Sequence, residues 1–323
     1  MSKTSIDLTR HALSGPTMGT RWSALFHAPA GFDPAPIRQA LQDAVNEVDA
    51  QMSTWKPDSD LMRLNAAPVG MPVPLPPRLM TVLGLGLAVG RATDGAFDIT
   101  MGDAVRAWGY GPEGATPDAI RAALAQPRIP AWEALTLDPA AGTARKHAPV
   151  SVDLNGIAKG YGTDRLADVL SVHGIAAALV GIDGEMRAMG LRPDGEAWTI
   201  AVEAPDRDRR APHSILALQD AAVATSGDYR HWVRVGSGTL SHTMDPHRGA
   251  PLAQSPASVT VIAPTCAEAD ALATALMVLG EERGLAQARA LNLDALFLLR
   301  TADGIRTAAT GPLFDRALQS GDR

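Results

Sequence analysis

The chain is short of the features that would classify it quickly. Its 323 residues contain one cysteine, Cys266. An intramolecular disulfide and any paired-cysteine zinc or redox motif are thereby excluded. That scarcity fits a reducing compartment, and it fits an exported protein that needs no staple. Long apolar runs are also missing. The longest, Leu79 to Gly90 between Arg78 and Arg91, is far below the roughly 20 residues a helix needs to cross a bilayer, so no membrane span is expected. Nor is there a signal peptide in Met1-Ser2-Lys3-Thr4-Ser5-Ile6-Asp7-Leu8, which has neither an apolar core nor a cleavage site. As written, the chain reads as cytoplasmic, or as periplasmic if its start is misassigned. Basic residues are not in excess: 29 Lys and Arg face 35 Asp and Glu, a net charge of −6 and a pI near 5.7. The electrostatic footprint of sequence-independent nucleic-acid binding is absent, and no nucleic-acid partner is expected. No G-x-x-x-x-G-K-[ST], H-E-x-x-H or G-x-S-x-G occurs, which removes the common NTPase, zincin and α/β-hydrolase readings. The glycines of Gly84-Leu85-Gly86-Leu87-Ala88-Val89-Gly90 are spaced one residue too long for a dinucleotide fingerprint, and they follow a proline-rich stretch instead of a strand.

What is present is the composition of a soluble globular protein, 46% hydrophobic and 20% charged. Alternation over 18–27 predicts a strand. Ile37, Leu41, Val45, Val48 and Met52 form one apolar stripe and predict a helix over 35–52. A second helix is expected over 77–93 and a glycine- and proline-rich loop over 109–117. Strands are expected at 134–138, 143–147 and 150–154, then a helix over 156–173. Further strands follow at 176–182, 197–203, 214–218, 221–225, 231–235, 239–243 and 257–263. Helices at 266–279 and 281–291 and a strand at 294–300 close the chain. Grouped strands with intervening helices favour an α+β fold. The chain reads as one catalytic domain over 1–323 whose sub-lobes do not separate cleanly, with motif segments at 18–111 and 150–300.

Four segments carry more chemistry than packing requires. In Thr93-Asp94-Gly95-Ala96-Phe97-Asp98-Ile99-Thr100, small residues allow close backbone approach, although a tight turn capped by Asp94 explains them too. In Val152-Asp153-Leu154-Asn155-Gly156-Ile157-Ala158-Lys159-Gly160-Tyr161, a strand runs into a helix whose start presents N–H groups suited to phosphate, and Lys159 adds positive charge. The alternative is Asn155 as an ordinary N-cap. In Ser241-His242-Thr243-Met244-Asp245-Pro246-His247-Arg248-Gly249, His242 stands at a strand end, well placed for proton transfer, although a histidine satisfied by a backbone carbonyl explains it equally well. In Thr265-Cys266-Ala267-Glu268-Ala269-Asp270-Ala271-Leu272-Ala273-Thr274, Thr265 and Glu268 form a capping box. Asp270 and Thr274 lie one turn apart on one helix face, two oxygen ligands for a hard cation such as Mg²⁺.

Together these segments resemble the ApbE family, the FAD:protein FMN transferases. Further segments support the resemblance: Met18-Gly19-Thr20, Met52 to Asp60 and on to Asn65, Trp108-Gly109-Tyr110-Gly111-Pro112, and Ala224 to Arg230. The resemblance implies a two-lobed α+β fold with FAD, as substrate, held between the lobes. It implies that Met18 and Trp55 lie against the flavin nucleotide, that Ala96, Phe97 and Asp98 line its site, and that Asn155 and Tyr161 flank the pyrophosphate. Met244 would contact the cofactor beside His242. The Mg²⁺ ligands would be Asp270, Thr274 and the Ala158 carbonyl, with the Ala273 carbonyl as a further donor. Two positions depart from the family pattern: Trp55 replaces a common tyrosine, and Asp183-Gly184-Glu185 replaces Gly-Gly-Asp.

The reaction so implied is transfer of FMN from FAD to a threonine or serine hydroxyl of an acceptor protein, with release of AMP and with His242 as the base. The same residues would serve a Mg²⁺-dependent FAD pyrophosphatase. A flavin-binding protein without turnover is the third reading, which His242 and the Asp270–Thr274 pair disfavour.

Overall fold

A computed structural model describes residues 8–206, 209–229, 232–235 and 238–314. Its centre is an eight-stranded sheet. In order across the sheet the strands are Leu8–Thr17, Thr20–Pro29, Ala178–Ile182, Glu185–Met189, Ala221–Gly227, Ser258–Ala263, Asp294–Thr301 and Gly304–Thr310. Every pairing in it is antiparallel, which establishes the α+β class.

The period of two along each strand sorts its side chains between two cores. Trp22, Ala24, Phe26, Ala178, Val180 and Ile182 face the helices Ala35–Met52 and Ala158–Val172, where they meet Ile37, Leu41, Val45, Leu166 and Leu170. Val259, Val261, Ala295 and Phe297 face the helical segment Cys266–Ala290 on that same side. The alternate residues Leu25, Leu179, Ile262, Leu296 and Leu298 point the other way, against a two-stranded ribbon, Trp198–Glu203 with Pro212–Leu218. Between the second and third strands of the sheet the chain makes mostly helices, including Asp60–Ala66, Pro77–Ala92, Gly102–Ala107 and Pro117–Ala125. The apolar faces of Asp60–Ala66 and Pro77–Ala92 join the core around Cys266–Ala290, whereas Ala104 of Gly102–Ala107 packs with Met101 and Met244. None of the helices among the described residues is long and apolar enough to cross a membrane.

Several expected elements are present with small changes of boundary, and others were not foreseen. The helix Ala35–Met52 matches its stripe. The break expected near 280 is a kink inside Cys266–Ala290, where Gly280 takes φ 73 and ψ −168. Residues 150–154, expected as a strand, make only an isolated bridge, Met101 to Ser151. Asn65 takes the pairing a strand would supply, donating to the Val152 carbonyl at 2.8 Å and accepting from its N–H at 2.7 Å. Leu8–Thr17 and Gly304–Thr310 are the two edges of the sheet, and their partial exposure removes the alternation that would have revealed them.

The helix Ala158–Val172 crosses the start of Cys266–Ala290 at Gly160. A Cβ at Gly160 would lie 2.4 Å from the Cys266 carbonyl oxygen and 2.8 Å from the Asp270 Cβ. Backbone cannot yield as a side chain can, so Gly160→Ala is expected to lose about 1–3 kcal/mol or more of stability. Urea unfolding checks this, and an unchanged midpoint would show that the helices can separate.

Candidate active site

Two hairpin turns and two helix starts meet at one end of the sheet. Met18-Gly19 joins the first two strands, with φ 45 and 71; Asp183-Gly184 joins Ala178–Ile182 to Glu185–Met189, with φ 53 and 109. Two-residue turns with both central φ positive match the twist of the strands they connect. Left-handed backbone is uncommon for methionine, and here it sets the Met18 side chain over the helix, its Cε 3.2 Å from where a Gly162 Cβ would stand. Thr20 Oγ1 donates to Asp183 Oδ1 at 3.1 Å and ties the turns together.

The helices hold each other through carboxylates. Asp164 on the first accepts from the N–H groups of Cys266 and Ala267 at 2.9 and 3.0 Å, which caps the second helix. Asp270 on the second, 5% exposed, accepts from Gly160 N–H at 3.0 Å. One turn on, Thr274 faces Gly156: a Cβ there would lie 3.3 Å from Thr274 Oγ1 and 3.2 Å from Phe97 Cε2. Thr274 Oγ1 shares a hydrogen bond of 3.1 Å with Ser226 Oγ rather than bonding back to its own helix. Asp270 and Thr274 thus both face residues 156–160, as the spacing predicts. The capping box is present in altered form: Thr265 Oγ1 accepts from Glu268 N–H and donates to the Glu268 carboxylate at 2.7 Å.

Two expectations for the helix start need correction. Asn155 is not its N-cap; Ile157 holds that position, and the Asn155 side chain donates to Asp153 at 3.0 Å. The anion cradle is also smaller than expected. The N–H groups of Ala158, Gly160 and Tyr161 are taken by the Leu154 carbonyl, Asp270 and the Ile157 carbonyl. Lys159 does not project an uncommitted charge either, because its ammonium lies 2.8 Å from Glu185 and 3.6 Å from Asp183. Those carboxylates and Asp270 hold it charged despite burial.

The same cluster is rich in negative charge. Lys159 and Arg187 face Asp164, Asp183, Glu185 and Asp270, two cations against four carboxylates. Burial pushes the Asp270 carboxyl above its ordinary range, against the pull of Lys159 and of Gly160 N–H. Burial likewise pushes Glu185 up, and its Oε2 is buried without a hydrogen-bond partner. An oxygen-only donor set with excess negative charge fits a hard divalent cation. Among the described residues, no three or more His, Cys, Asp and Glu side chains converge so as to hold a metal ion by themselves.

His242 arrives on a separate segment, directly after the strand Gly238–Ser241. Its ring stands edge-on to Tyr110, with centroids 6.3 Å apart. Tyr110 donates to the Ser241 carbonyl and Trp108 Nε1 to the Gly249 carbonyl, both at 3.0 Å. Met244 is buried against Met101 and Ala104. Gly102 N–H and Arg106 in turn bond to Ser151, which leads into Asp153 and Gly156. Aromatic, apolar and hydrogen-bond contacts therefore link the histidine segment to residues 151–156, ahead of the helix Ala158–Val172.

The remaining predicted residues divide. Ala96 and Phe97 are buried just after the Asp94-Gly95 turn, whose residues both take positive φ. The Asp98 carboxylate is taken by Thr100 N–H and Thr100 Oγ1 of its own loop and by Ala131 N–H of a separate helix, so its side chain offers little to a ligand. Tyr161 is half-buried against the core, and Ala273 is fully buried. Trp55 is 59% exposed on the loop after the first helix. A cavity of about 190 Å³ borders Asp98, Arg128, Trp132 and His247, without Asp270, Thr274 or His242 in its walls. It is smaller than the roughly 300 Å³ at which ligand pockets begin; a second cavity, of about 380 Å³, borders Asp228, Ser241, Leu252 and Arg300. Ser226, Asp153 and Glu185 were not assigned from the sequence; each acquires its role from a partner that local spacing does not reveal.

Helices laid on one face of an antiparallel sheet are an architecture this chain shares with solved flavin transferases. The Vibrio cholerae flavin transferase ApbE superposes with a TM-score of 0.84 at 37% identity, covering 96% of this chain and 99% of that one. The Pseudomonas stutzeri flavinyl transferase ApbE, in its apo form, gives 0.84 at 34%, covering 97% and 98%. In sequence, a Vibrio cholerae protein named FAD:protein FMN transferase is 39% identical over 303 residues, 92% of this chain and 90% of that protein. An Escherichia coli K12 protein of the same name is 33% identical over 304 residues, 91% and 86% of the two. The sequence profile of the ApbE family matches residues 18–297, and the chain belongs to that family.

Asp153 supplies a test of the site's electrostatics. Burial raises its carboxyl from 3.8 to about 6, against the Asn155 N–H and Arg106. The folded chain therefore holds this proton more tightly than the unfolded chain, and the stability so gained is lost as pH rises from the unfolded value to about 6. Asp153→Asn is expected to melt above wild type at neutral pH, with the difference shrinking toward pH of about 4. Melting curves across that range check it; a difference independent of pH would overturn the assignment.

Proposed function

We propose that this chain transfers the FMN portion of FAD to a threonine or serine hydroxyl of an acceptor protein, with release of AMP, in a Mg²⁺-dependent reaction. The observation that carries this reading is the placement of Asp270 and Thr274 opposite residues 156–160, in a cluster with more negative than positive charge. The names of the relatives support it. Asp270, Thr274 and the carbonyl of Ala158, with that of Ala273 in reserve, would hold the cation. When bound, Mg²⁺ neutralises pyrophosphate charge and stabilises the departing phosphate.

The chain's own residues do the rest. The two helices fix where the pyrophosphate lies. The acceptor hydroxyl oxygen attacks the phosphorus on the riboflavin side, and the bond from that phosphorus to the bridging oxygen breaks. AMP leaves with the bridging oxygen. His242 takes the hydroxyl proton, a role suited to an imidazole, whose ordinary pKa of about 6.5 lies close to neutral pH. Such a transfer asks an enzyme mainly for positioning and charge neutralisation.

In-gel flavin fluorescence of an acceptor protein, read beside AMP release, tests the reading. His242→Ala is expected to lose about 10²–10⁴-fold in transfer while still binding FAD. Wild-type transfer should fall on the acid side as the imidazole becomes protonated and recover above that range. Asp270→Ala is expected to abolish the Mg²⁺ dependence along with the activity. AMP release without labelling of any acceptor would replace transfer by FAD hydrolysis. Undiminished labelling by the His242 variant would remove the base.

A further inference from the structure

Lys159 occupies an unusual position. It lies between Ala158 and Gly160, and the Gly160 N–H bonds to Asp270 Oδ2. Its ammonium nevertheless reaches across to the strand Glu185–Met189, 2.8 Å from Glu185 Oε1. Asp183, on the preceding turn and more exposed, lies 3.6 Å away. Asp270 is its remaining carboxylate neighbour, and the mutual attraction acts on both groups. Glu185 is 4% exposed, and its second oxygen meets no donor. Burying a half-satisfied ion pair is a poor way to stabilise a fold; an apolar pair of similar volume serves at least as well. The arrangement calls for another use.

We infer that Glu185 is a positioning residue that holds the Lys159 ammonium off Asp270 and so keeps the Asp270 carboxylate open to a divalent cation. This rests on the reading that Asp270 takes the cation. An ammonium beside Asp270 is an internal rival, because it neutralises the same carboxylate. A lysine carries its charge at neutral pH, and the ion pair with Glu185 fixes where that charge sits. The rival must therefore be held by a charge elsewhere. Glu185 provides it from the hairpin, 2.8 Å from the ammonium. Asp183 adds a weaker pull, being farther away and better solvated.

The test is calorimetric titration of the full chain with Mn²⁺ alone, without FAD, for wild type, Glu185→Gln, Glu185→Asp and the double variant Lys159→Met/Glu185→Gln. Glu185→Gln is expected to bind Mn²⁺ about tenfold more weakly or worse, because removing one buried counter-charge leaves the ammonium to Asp270. Glu185→Asp keeps the charge and should stay within a few-fold of wild type. The double variant removes both holder and rival and should recover wild-type affinity or exceed it. That recovery is the outcome a merely structural role would not give. Unchanged binding by Glu185→Gln would overturn the inference and leave the cation reading standing. Weak binding by the double variant would overturn it too, making Glu185 a ligand or a scaffold. If wild type bound Mn²⁺ no better than Asp270→Ala, the cation reading itself would fall, and this inference with it. Melting curves establish that each variant is folded. Should Glu185→Gln alone not fold, the double variant against wild type decides the question.

Discussion

The close approach of two helices at Gly160 is the constraint on which the site depends. Only a residue without Cβ lets Ala158–Val172 come within reach of the Cys266 carbonyl. At that separation each helix supplies a carboxylate to the other's backbone. Asp164 caps Cys266 and Ala267, and Asp270 takes the N–H of Gly160. Charge-assisted bonds of this kind are about twice as strong as neutral ones, and they are directional. They fix the rotation of Cys266–Ala290 about its axis. That rotation in turn places Thr274 opposite Gly156 and against Ser226. A wider crossing would keep the fold and lose the alignment.

The apolar core bears the cost of this arrangement. Four carboxylates and two cations share one end of the sheet, and Glu185 and Asp270 are both buried. An uncompensated buried charge costs several kcal/mol. Each fully buried Leu, Ile or Phe returns about 1.5–3 kcal/mol, and the core around Cys266–Ala290 includes Leu61, Leu64, Leu79, Leu83, Ile99, Leu154, Ile157 and Phe297. Packing thus holds charged groups in positions they would not choose alone. A ligand that supplies positive charge there stabilises the folded state by mass action. Such a ligand would couple binding to stability at this end of the sheet, whereas the ribbon Trp198–Glu203 with Pro212–Leu218, on the other face, packs through apolar residues.

Much of this was legible in the chain. The stripe from Ile37 to Met52 specified its helix because a helix repeats every 3.6 residues. Gly280 marked the kink, and Thr265 marked the start of the helix that carries Asp270 and Thr274, whose spacing put both on one face. The ordered motifs from Met18 to Thr274 carried the family resemblance. All of these are signals within a few residues of one another, where covalent geometry and hydrogen-bond period decide the outcome.

What the sequence did not disclose are the elements and contacts that distant residues create. Glu185–Met189 is a short strand carrying two charges, yet it lies inside the sheet because Ala178–Ile182 and Ala221–Gly227 pair with it. Lys159 looked like a ligand-directed charge until the hairpin at Asp183-Gly184 brought Glu185 to it. The Asp98 carboxylate looked available until Ala131 closed on it. By itself the sequence determined the helices Ala35–Met52, Pro77–Ala92 and Cys266–Ala290 and which of their side chains share a face, since those follow from neighbours along the chain. The tertiary structure alone decided which charges meet and which are spent, because packing brings together residues that the chain holds far apart.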